Sequence, residues 1–357
     1  MHLYTQIFDS EASMSVTRRD FGTTKTGLNT KLYSIVSEEG ITVRISDYGA
    51  NVVSILVPDK DGGIRDVVLG FNDVTGYETK GGFYGAFVGR CCNRIKGSEF
   101  IIGGKRYFMT KTEGENNCHS APDTWNKRLL KVTNVEKDSV TMELASHDMD
   151  QGFPGDMDVK VTYSVRNGSR FEIEYEAVSD RDTICNLTNH SYFNLNGGGT
   201  ILNHLVRILG SAITEVDAEK IPTGRLLPVE GTPFDFRTRR AIGQYLSSEA
   251  EYGKLREYDV NYALDADGYG LAADFYSSDS GILMNVYTDC PGLQIYTPPK
   301  ADNVGKTGEA YPPYAACCFE TQFFPDAIHQ PGFKSPILRA GEIYRSKTVY
   351  EFQTIRV

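Results

Sequence analysis

The stretch VKVTYSVRNGSRFEIEYEA, residues 159–177, decides the fold class. Apolar side chains alternate with polar ones on both sides of Asn167-Gly168. Such alternation turns one face of a strand toward a core, and an Asn-Gly pair favours the positive φ angles of a tight hairpin turn. The stretch therefore predicts two antiparallel strands joined by a short turn.

Short β segments of the same kind follow one another along most of the chain. Gly103-Gly104 predicts another hairpin turn, whereas the strongest helical pattern is the brief run 240–246. The strand-helix-strand rhythm that parallel sheets require is missing from the sequence. We therefore expect an all-β protein, a large antiparallel β-sandwich of two packed sheets with few short helices.

The chain of 357 residues is long enough to bury a large core, with 40% hydrophobic and 24% charged residues. We find no internal repeat, low-complexity tract or linker that would divide it. Residues 1–13 look like a flexible N-terminal extension, because the strand pattern starts only after them. Residues 14–357 are expected to form a single domain, since β-sandwiches often exceed 200 residues as one unit.

Charge and cysteine content limit the partners and the compartment. A formal net charge of -10 argues against nucleic acid and against an anionic membrane surface, both of which need a basic face. A small neutral substrate fits better. The seven cysteines include the adjacent pairs Cys91-Cys92 and Cys317-Cys318, a spacing that suits neither a disulfide framework nor a zinc knuckle. With no visible secretion signal, we expect a cytoplasmic protein with reduced thiols.

Motifs that bind common cofactors are missing. The sequence contains no dinucleotide or nucleotide phosphate loop, no zinc-protease motif and no serine-hydrolase motif. No two histidines have the spacing of metal ligands. We expect no cofactor and no metal.

Glu320 stands out as a carboxylate within the apolar segment CCFETQFF, residues 317–324. Burial of a carboxylate raises its pKa toward the range that suits a general base near neutral pH. A glutamate on an edge strand, with its side chain in solvent, is an equal alternative.

His190 lies in a similar setting, where Thr188 and Tyr192 share its face of the strand. An imidazole near pKa 6.5 in this position suits proton transfer. From these residues alone, a hydrogen-bonded core histidine is the simpler interpretation. The same holds for His119.

Several motifs occur in a fixed order and together resemble the aldose 1-epimerase (galactose mutarotase) family, from about Val16 over nearly the whole chain. They are GRCCNRI at 89–95, NLTNHSYFN at 186–194, GTPFDFR at 231–237, PGLQIYT at 291–297 and FETQ at 319–322.

The resemblance implies a β-supersandwich that interconverts the α and β anomers of free aldoses such as glucose and galactose. It places Glu320 at the position of the general base and His190 at that of the general acid. It also places these residues around the sugar: Asn93, Arg94, His119, Asp259 and Gln294. A structural ion pair is an alternative role for Arg94. The sequence makes no prediction about the oligomeric state.

Three departures from the family pattern predict altered hydroxyl recognition: Ser120-Ala121 where two glycines are usual, Val260 where a histidine is common, and Pro298-Pro299 in place of Gly-Asn.

Two other functions remain open. A hexose 6-phosphate mutarotase would need additional converging Arg or Lys residues, and a sugar-binding β-sandwich without turnover would share the fold alone.

Overall fold

A computed structural model describes residues 14–247, 253–300 and 303–356 of the protein. The predicted extension, residues 1–13, lies outside the described residues. Among the helices of these residues, none has the length and apolar character needed to cross a membrane.

Strands account for most of the regular structure. In chain order they begin with β1 (Ser15–Thr23), β2 (Asn29–Val36), β3 (Thr42–Ser46), β4 (Val52–Pro58), β5 (Ile64–Asp66), β6 (Ala86–Val88), β7 (Arg94–Ile95), β8 (Glu99–Ile102), β9 (Lys105–Phe108), β10 (Asn117–Cys118), β11 (Lys131–Val135), β12 (Ser139–Ser146), β13 (Met157–Arg166) and β14 (Arg170–Ser179).

The chain continues with β15 (Thr183–Ile184), β16 (Thr188–His190), β17 (Tyr192–Phe193), β18 (Leu205–Ile208), β19 (Ala212–Val216), β20 (Pro222–Pro228), β21 (Arg240–Ala241), β22 (Asp259–Ala263), β23 (Gly270–Tyr276), β24 (Ile282–Thr288), β25 (Gly292–Tyr296), β26 (Cys317–Gln322), β27 (Ile337–Leu338) and β28 (Ile343–Thr354). The helices are short: α1 (Val74–Thr79) and 3₁₀ turns at Lys96–Ser98, Trp125–Lys127, Asp150–Gly152, Ile242–Tyr245 and Ala327–His329.

Two large sheets form the sandwich, as predicted. One has nine strands in the order β11-β12-β13-β14-β28-β24-β23-β18-β21, and the other has six in the order β17-β26-β25-β22-β19-β20. A five-stranded sheet, β1 to β5, is added to them and was not predicted. The strands within each of these sheets pair in antiparallel fashion, so the all-β antiparallel prediction is confirmed.

The hairpin predicted at residues 159–177 is present. Strands β13 and β14 pair in register up to Arg166 and Arg170, and the turn between them has φ of 48° at Asn167 and 73° at Gly168. Both central turn residues thus adopt the left-handed region that an Asn-Gly pair tolerates. The predicted turn at Gly103-Gly104 likewise joins β8 to β9.

Aromatic side chains hold the two large sheets together. Phe193 packs against Tyr350 with ring centroids 4.8 Å apart, and Phe275 packs against Phe319 at 5.1 Å. The hydroxyl of Tyr350 donates to the Phe319 carbonyl at 3.0 Å, so this buried phenol is satisfied across the interface. One hydrophobic cluster contains residues from all three sheets. The single domain over residues 14–357 stays a prediction.

The helix prediction at 240–246 is wrong in detail. This run is a short strand followed by the 3₁₀ turn Ile242–Tyr245, because the backbone N–H groups of Ile242 and Gly243 bond to the carbonyls of His204 and Leu202. The α-helix α1 was missed. Its signal is the N-cap Asp73, whose side chain accepts a hydrogen bond from the Gly76 N–H at 3.3 Å.

Candidate active site

The floor of the candidate site is one face of the six-stranded sheet. Asn261, Gln294 and Glu320 are direct cross-strand partners on β22, β25 and β26. Cross-strand partners point to the same face, as do residues two apart on one strand, so Asp259 joins the row. Residues distant in sequence therefore meet on one surface.

Glu320 is buried within the sheet, with 2% of its surface exposed. Its strand lies between β17 and β25, which rules out the alternative of an edge-strand glutamate in solvent. The Oε2 atom has no hydrogen-bond partner among the described residues. Burial raises the pKa of this carboxyl well above its ordinary value, and the nearby Asp259 charge raises it further. The predicted raised pKa is confirmed.

His190 approaches Glu320 from the neighbouring strand β16, with Nε2 lying 3.4 Å from the Glu320 Oε1. Its ring stacks on Tyr192 at 4.9 Å, and its Nδ1 atom has no partner in the described part of the chain. Burial lowers the pKa of His190 to about 3, helped by His119. The expectation of an imidazole near pKa 6.5 is therefore wrong, because desolvation disfavours the charged ring.

His119 is held in one tautomer by its neighbour Asn93. The Nδ1 atom accepts a hydrogen bond from the Asn93 backbone N–H at 3.2 Å, and the His119 backbone N–H donates to the Asn93 carbonyl at 2.9 Å. An Nδ1 that accepts leaves the proton of a neutral ring on Nε2. Burial lowers the pKa of His119 to about 3, so the ring offers the pocket a neutral donor.

His119, His190 and Glu320 are close enough to suggest a metal site, since one ligand atom from each lies within 4.8 Å of the others. The tautomer of His119 argues against such a site. Its Nδ1 lone pair is used by Asn93, and its Nε2 carries the proton, so neither nitrogen is free to bind a cation. These residues do not favour a metal centre.

Arg94 forms an ion pair with Glu113 and also lines the pocket. Its Nε and Nη2 atoms donate to the two oxygens of Glu113 at 2.7 and 2.9 Å, and Nη2 lies 3.5 Å from the Asp259 Oδ2. The Asp259 Oδ1 accepts from the Gln294 Nε2 at 2.6 Å, which leaves the Gln294 Oε1 without a partner among the described residues. Arg94 thus forms the structural ion pair that was its alternative role, and it also lines the pocket.

These side chains surround one cavity of about 260 Å³. All of the residues predicted from the sequence line it: Asn93, Arg94, His119, His190, Asp259, Gln294 and Glu320. Sequence reasoning missed the remaining lining residues: Phe83, Glu113, Cys118, Tyr192, Lys220, Glu257 and Tyr296.

Part of the missed set could have been found from strand periodicity. Tyr192 and Tyr296 lie two residues from His190 and Gln294, so they share the pocket face. Nothing in the sequence indicated Lys220, Glu113 or Glu257, because these residues reach the pocket from turns and loops.

The three departures from the family pattern do not line the described part of the cavity. Val260 points to the opposite face of β22 from Asp259 and joins the main core. Ser120 is buried, and its hydroxyl accepts from the Cys91 N–H at 3.0 Å and donates to the Cys91 carbonyl at 2.9 Å. The expectation that these departures alter direct hydroxyl recognition is therefore not supported by their positions.

The fold and the site together define a β-sandwich protein with a buried imidazole–carboxyl pair in a polar pocket. The sequence profile described as Aldose 1-epimerase matches residues 31–351. Galactose mutarotase from Rattus norvegicus is 37% identical over 344 residues, which cover 95% of this chain and 99% of that protein. Aldose 1-epimerase from Escherichia coli is 34% identical over 328 residues, which cover 90% of this chain and 95% of that protein.

A crystal structure of an aldose epimerase homologue from C. elegans has a TM-score of 0.87 and 31% sequence identity, covering 92% of this chain and all of that one. The chain belongs to the aldose 1-epimerase family. The family resemblance read from the ordered motifs is confirmed.

Proposed function

We propose that the protein interconverts the α and β anomers of free aldoses, with Glu320 as general base and His190 as general acid. The observation that carries this proposal is the 3.4 Å separation between the His190 Nε2 and the Glu320 Oε1 at the floor of a polar cavity. The C1 hydroxyl and the ring oxygen are both bonded to C1, so a base and an acid that reach these two atoms must lie close together.

The reaction needs only proton transfers and a bond rotation. Glu320 removes the proton of the C1 hydroxyl while His190 protonates the ring oxygen, which opens the hemiacetal to the aldehyde. Rotation about the C1–C2 bond presents the other carbonyl face. As the ring closes, Glu320 returns its proton to the carbonyl oxygen while His190 takes back the proton of the attacking hydroxyl. Each well-placed group typically accelerates such a step about 10²- to 10⁴-fold.

The pair must hold one proton between its two members. Burial raises the pKa of Glu320 and lowers that of His190, which favours the neutral form of both groups, with the proton on the carboxyl. Substrate hydroxyls that donate to the carboxylate favour its ionised form. Binding therefore shifts the proton toward His190, the state from which ring opening begins.

The predicted sugar-holding residues supply complementary hydrogen-bonding groups. His119 presents an Nε2–H donor, and Gln294 presents its Oε1 acceptor. Arg94 and Asp259 add a charged donor and a charged acceptor, which bind hydroxyl groups more strongly than neutral partners do. Asn93 fixes the His119 tautomer through its backbone.

Charges in the cavity favour a free aldose over a hexose 6-phosphate. The described lining contains these carboxyl groups and cations: Glu113, Glu257, Asp259 and Glu320 against Arg94 and Lys220. Both cations already pair with carboxylates, at 2.7 Å from Arg94 to Glu113 and 2.6 Å from Lys220 to Asp259. A phosphate dianion would meet like charges and find no unpaired cation in this lining.

Polarimetry with pure α anomers tests the proposal. We expect the protein to accelerate mutarotation of glucose or galactose and to act poorly on glucose 6-phosphate. Faster turnover of the phosphate would favour the phosphosugar alternative. Calorimetric sugar binding beside an unaccelerated optical-rotation trace would support a sugar-binding β-sandwich instead.

A further inference from the structure

We propose that Lys220 is a positioning residue for this reaction: it holds Asp259 in the sugar-binding orientation and thereby sets the affinity for the aldose. The inference rests on the proposed function, because Asp259 is taken to bind the sugar. Lys220 lines the same cavity but was not predicted from the sequence.

The Nζ atom of Lys220 lies between two carboxylates. It donates to the Asp259 Oδ2 at 2.6 Å and to the Glu257 Oε1 at 2.7 Å. The other oxygen of Asp259 accepts from Gln294. Lys220 and Gln294 together hold both oxygens of Asp259, which leaves its carboxylate plane little freedom to turn.

Hydrogen bonds within the turn fix the backbone conformation of Lys220. Lys220 has φ of 61°, a left-handed conformation that non-glycine residues seldom adopt. Its backbone N–H donates to the Asp217 carbonyl at 3.0 Å, and the Asp217 Oδ1 accepts from the N–H groups of Glu219 and Ile221. These hydrogen bonds keep the backbone in a conformation that the lysine alone would not favour.

The same turn also contacts the loop that precedes His119. The Glu219 Oε2 accepts from the Asn116 Nδ2 at 3.0 Å. One turn is therefore attached to two parts of the pocket wall, to β22 through Lys220 and to the loop through Glu219. This arrangement holds the lysine charge beside Asp259.

Removal of the lysine would leave Asp259 and Glu257 without their shared cation. The other cation near Asp259 is Arg94, whose Nη2 is 3.5 Å away and whose stronger contacts go to Glu113. Two neighbouring carboxylates without a bridging charge repel each other, so Asp259 would turn away from its present orientation.

Lys220→Met tests the proposal in the full-length enzyme by initial-rate polarimetry. We expect KM for galactose to rise about 10-fold or more, the loss typical of a charge-assisted hydrogen bond, with kcat changed less than about twofold. Lys220→Arg should restore most of the affinity. An unchanged KM, or a loss confined to kcat, would overturn the proposal.

Lys347→Met is the matched control. Its Nζ also bonds to two carboxylates, Glu172 at 2.6 Å and Glu174 at 3.3 Å, and its side chain is 31% exposed against 39% for Lys220. It lies on the nine-stranded sheet and does not line the described cavity. We expect its KM to equal that of the wild type. An equal rise in both variants would contradict a specific role for Lys220.

A double-mutant cycle with Asp259→Asn separates positioning from direct binding. If Lys220 acts through Asp259, Lys220→Met should have little further effect on KM in the Asp259→Asn background. If the effects of the two substitutions on KM multiply, the two residues act independently, and the proposal would be overturned. Calorimetry of galactose binding to the same variants tests the role of Lys220 without an activity assay. A wild-type protein that binds galactose but shows no mutarotation would refute only the proposed function.

Discussion

The Nε2 atom of His190 lies 3.4 Å from the Oε1 atom of Glu320, and both side chains are almost fully buried. An imidazole and a carboxyl at this distance exchange a proton readily, and burial penalises the charged form of each. The pair therefore behaves as one titrating unit that carries a single proton over a wide pH range.

Replacing either member of the pair should abolish most activity. We expect Glu320→Gln and His190→Gln each to reduce kcat about 10²- to 10⁴-fold, because each removes one proton-transfer group. Polarimetry measures the loss, and circular dichroism checks the fold. Glu176→Gln, at a half-buried glutamate paired with Arg345 on the nine-stranded sheet, should leave the rate unchanged. Wild-type rates in either site variant would refute the assigned roles.

The rate profile should be broad rather than bell-shaped. With ordinary pKa values near 4.3 and 6.5, a carboxylate base and an imidazolium acid would give activity over a narrow window between them. Burial instead lowers the pKa of His190 to about 3 and raises the pKa of Glu320. We therefore expect kcat/KM, corrected for spontaneous mutarotation, to stay level between about pH 5 and 7. A fall above pH 6.5 would contradict this.

Glu320→Gln should stabilise the protein at alkaline pH. The folded-state pKa of Glu320 is raised, so the stability that this group contributes is fully present below its unfolded pKa near 4.3 and is lost as pH rises toward the folded value. The uncharged glutamine avoids this loss, which amounts to about 1.4 kcal/mol per pH unit. Urea unfolding at pH 5 and pH 8 should show a larger gain at pH 8; an equal gain at both would exclude a raised pKa.

Arg94→Lys should raise KM more than it lowers kcat. The guanidinium of Arg94 bonds to both oxygens of Glu113 while its Nη2 reaches Asp259, a geometry that a single ammonium cannot reproduce. We expect about a 10-fold increase in KM, measured by initial-rate polarimetry. Arg170→Lys, on the nine-stranded sheet, provides the control. A drop in kcat alone would indicate that Arg94 acts in proton transfer.

Nitrogen-15 NMR of the histidines should show His119 neutral, with its proton on Nε2, from pH 5 to 8. The Nδ1 of His119 accepts from the Asn93 N–H, and burial lowers the pKa of the ring to about 3. Comparison with His119→Gln identifies the signals. A protonated Nδ1, or a ring that titrates near pH 6.5, would refute the assigned tautomer and reopen the metal site.

Local patterns in the sequence determined the antiparallel architecture and which face of each strand is buried. The alternation in residues 159–177 specifies the β13–β14 hairpin because side chains of a strand alternate with period 2. The same rule placed Thr188, His190 and Tyr192 on one face. The family resemblance then identified seven of the residues that line the cavity.

Tertiary structure decided the chemistry of those residues. A pKa depends on how completely neighbouring strands exclude water, so the local sequence could not indicate that the pKa of His190 is lowered to about 3. The tautomer of His119 depends on one backbone N–H of Asn93, and Lys220 reaches Asp259 only because a turn distant in sequence packs beside β22. Distances between segments far apart in the chain are set by packing, whereas strand periodicity is local.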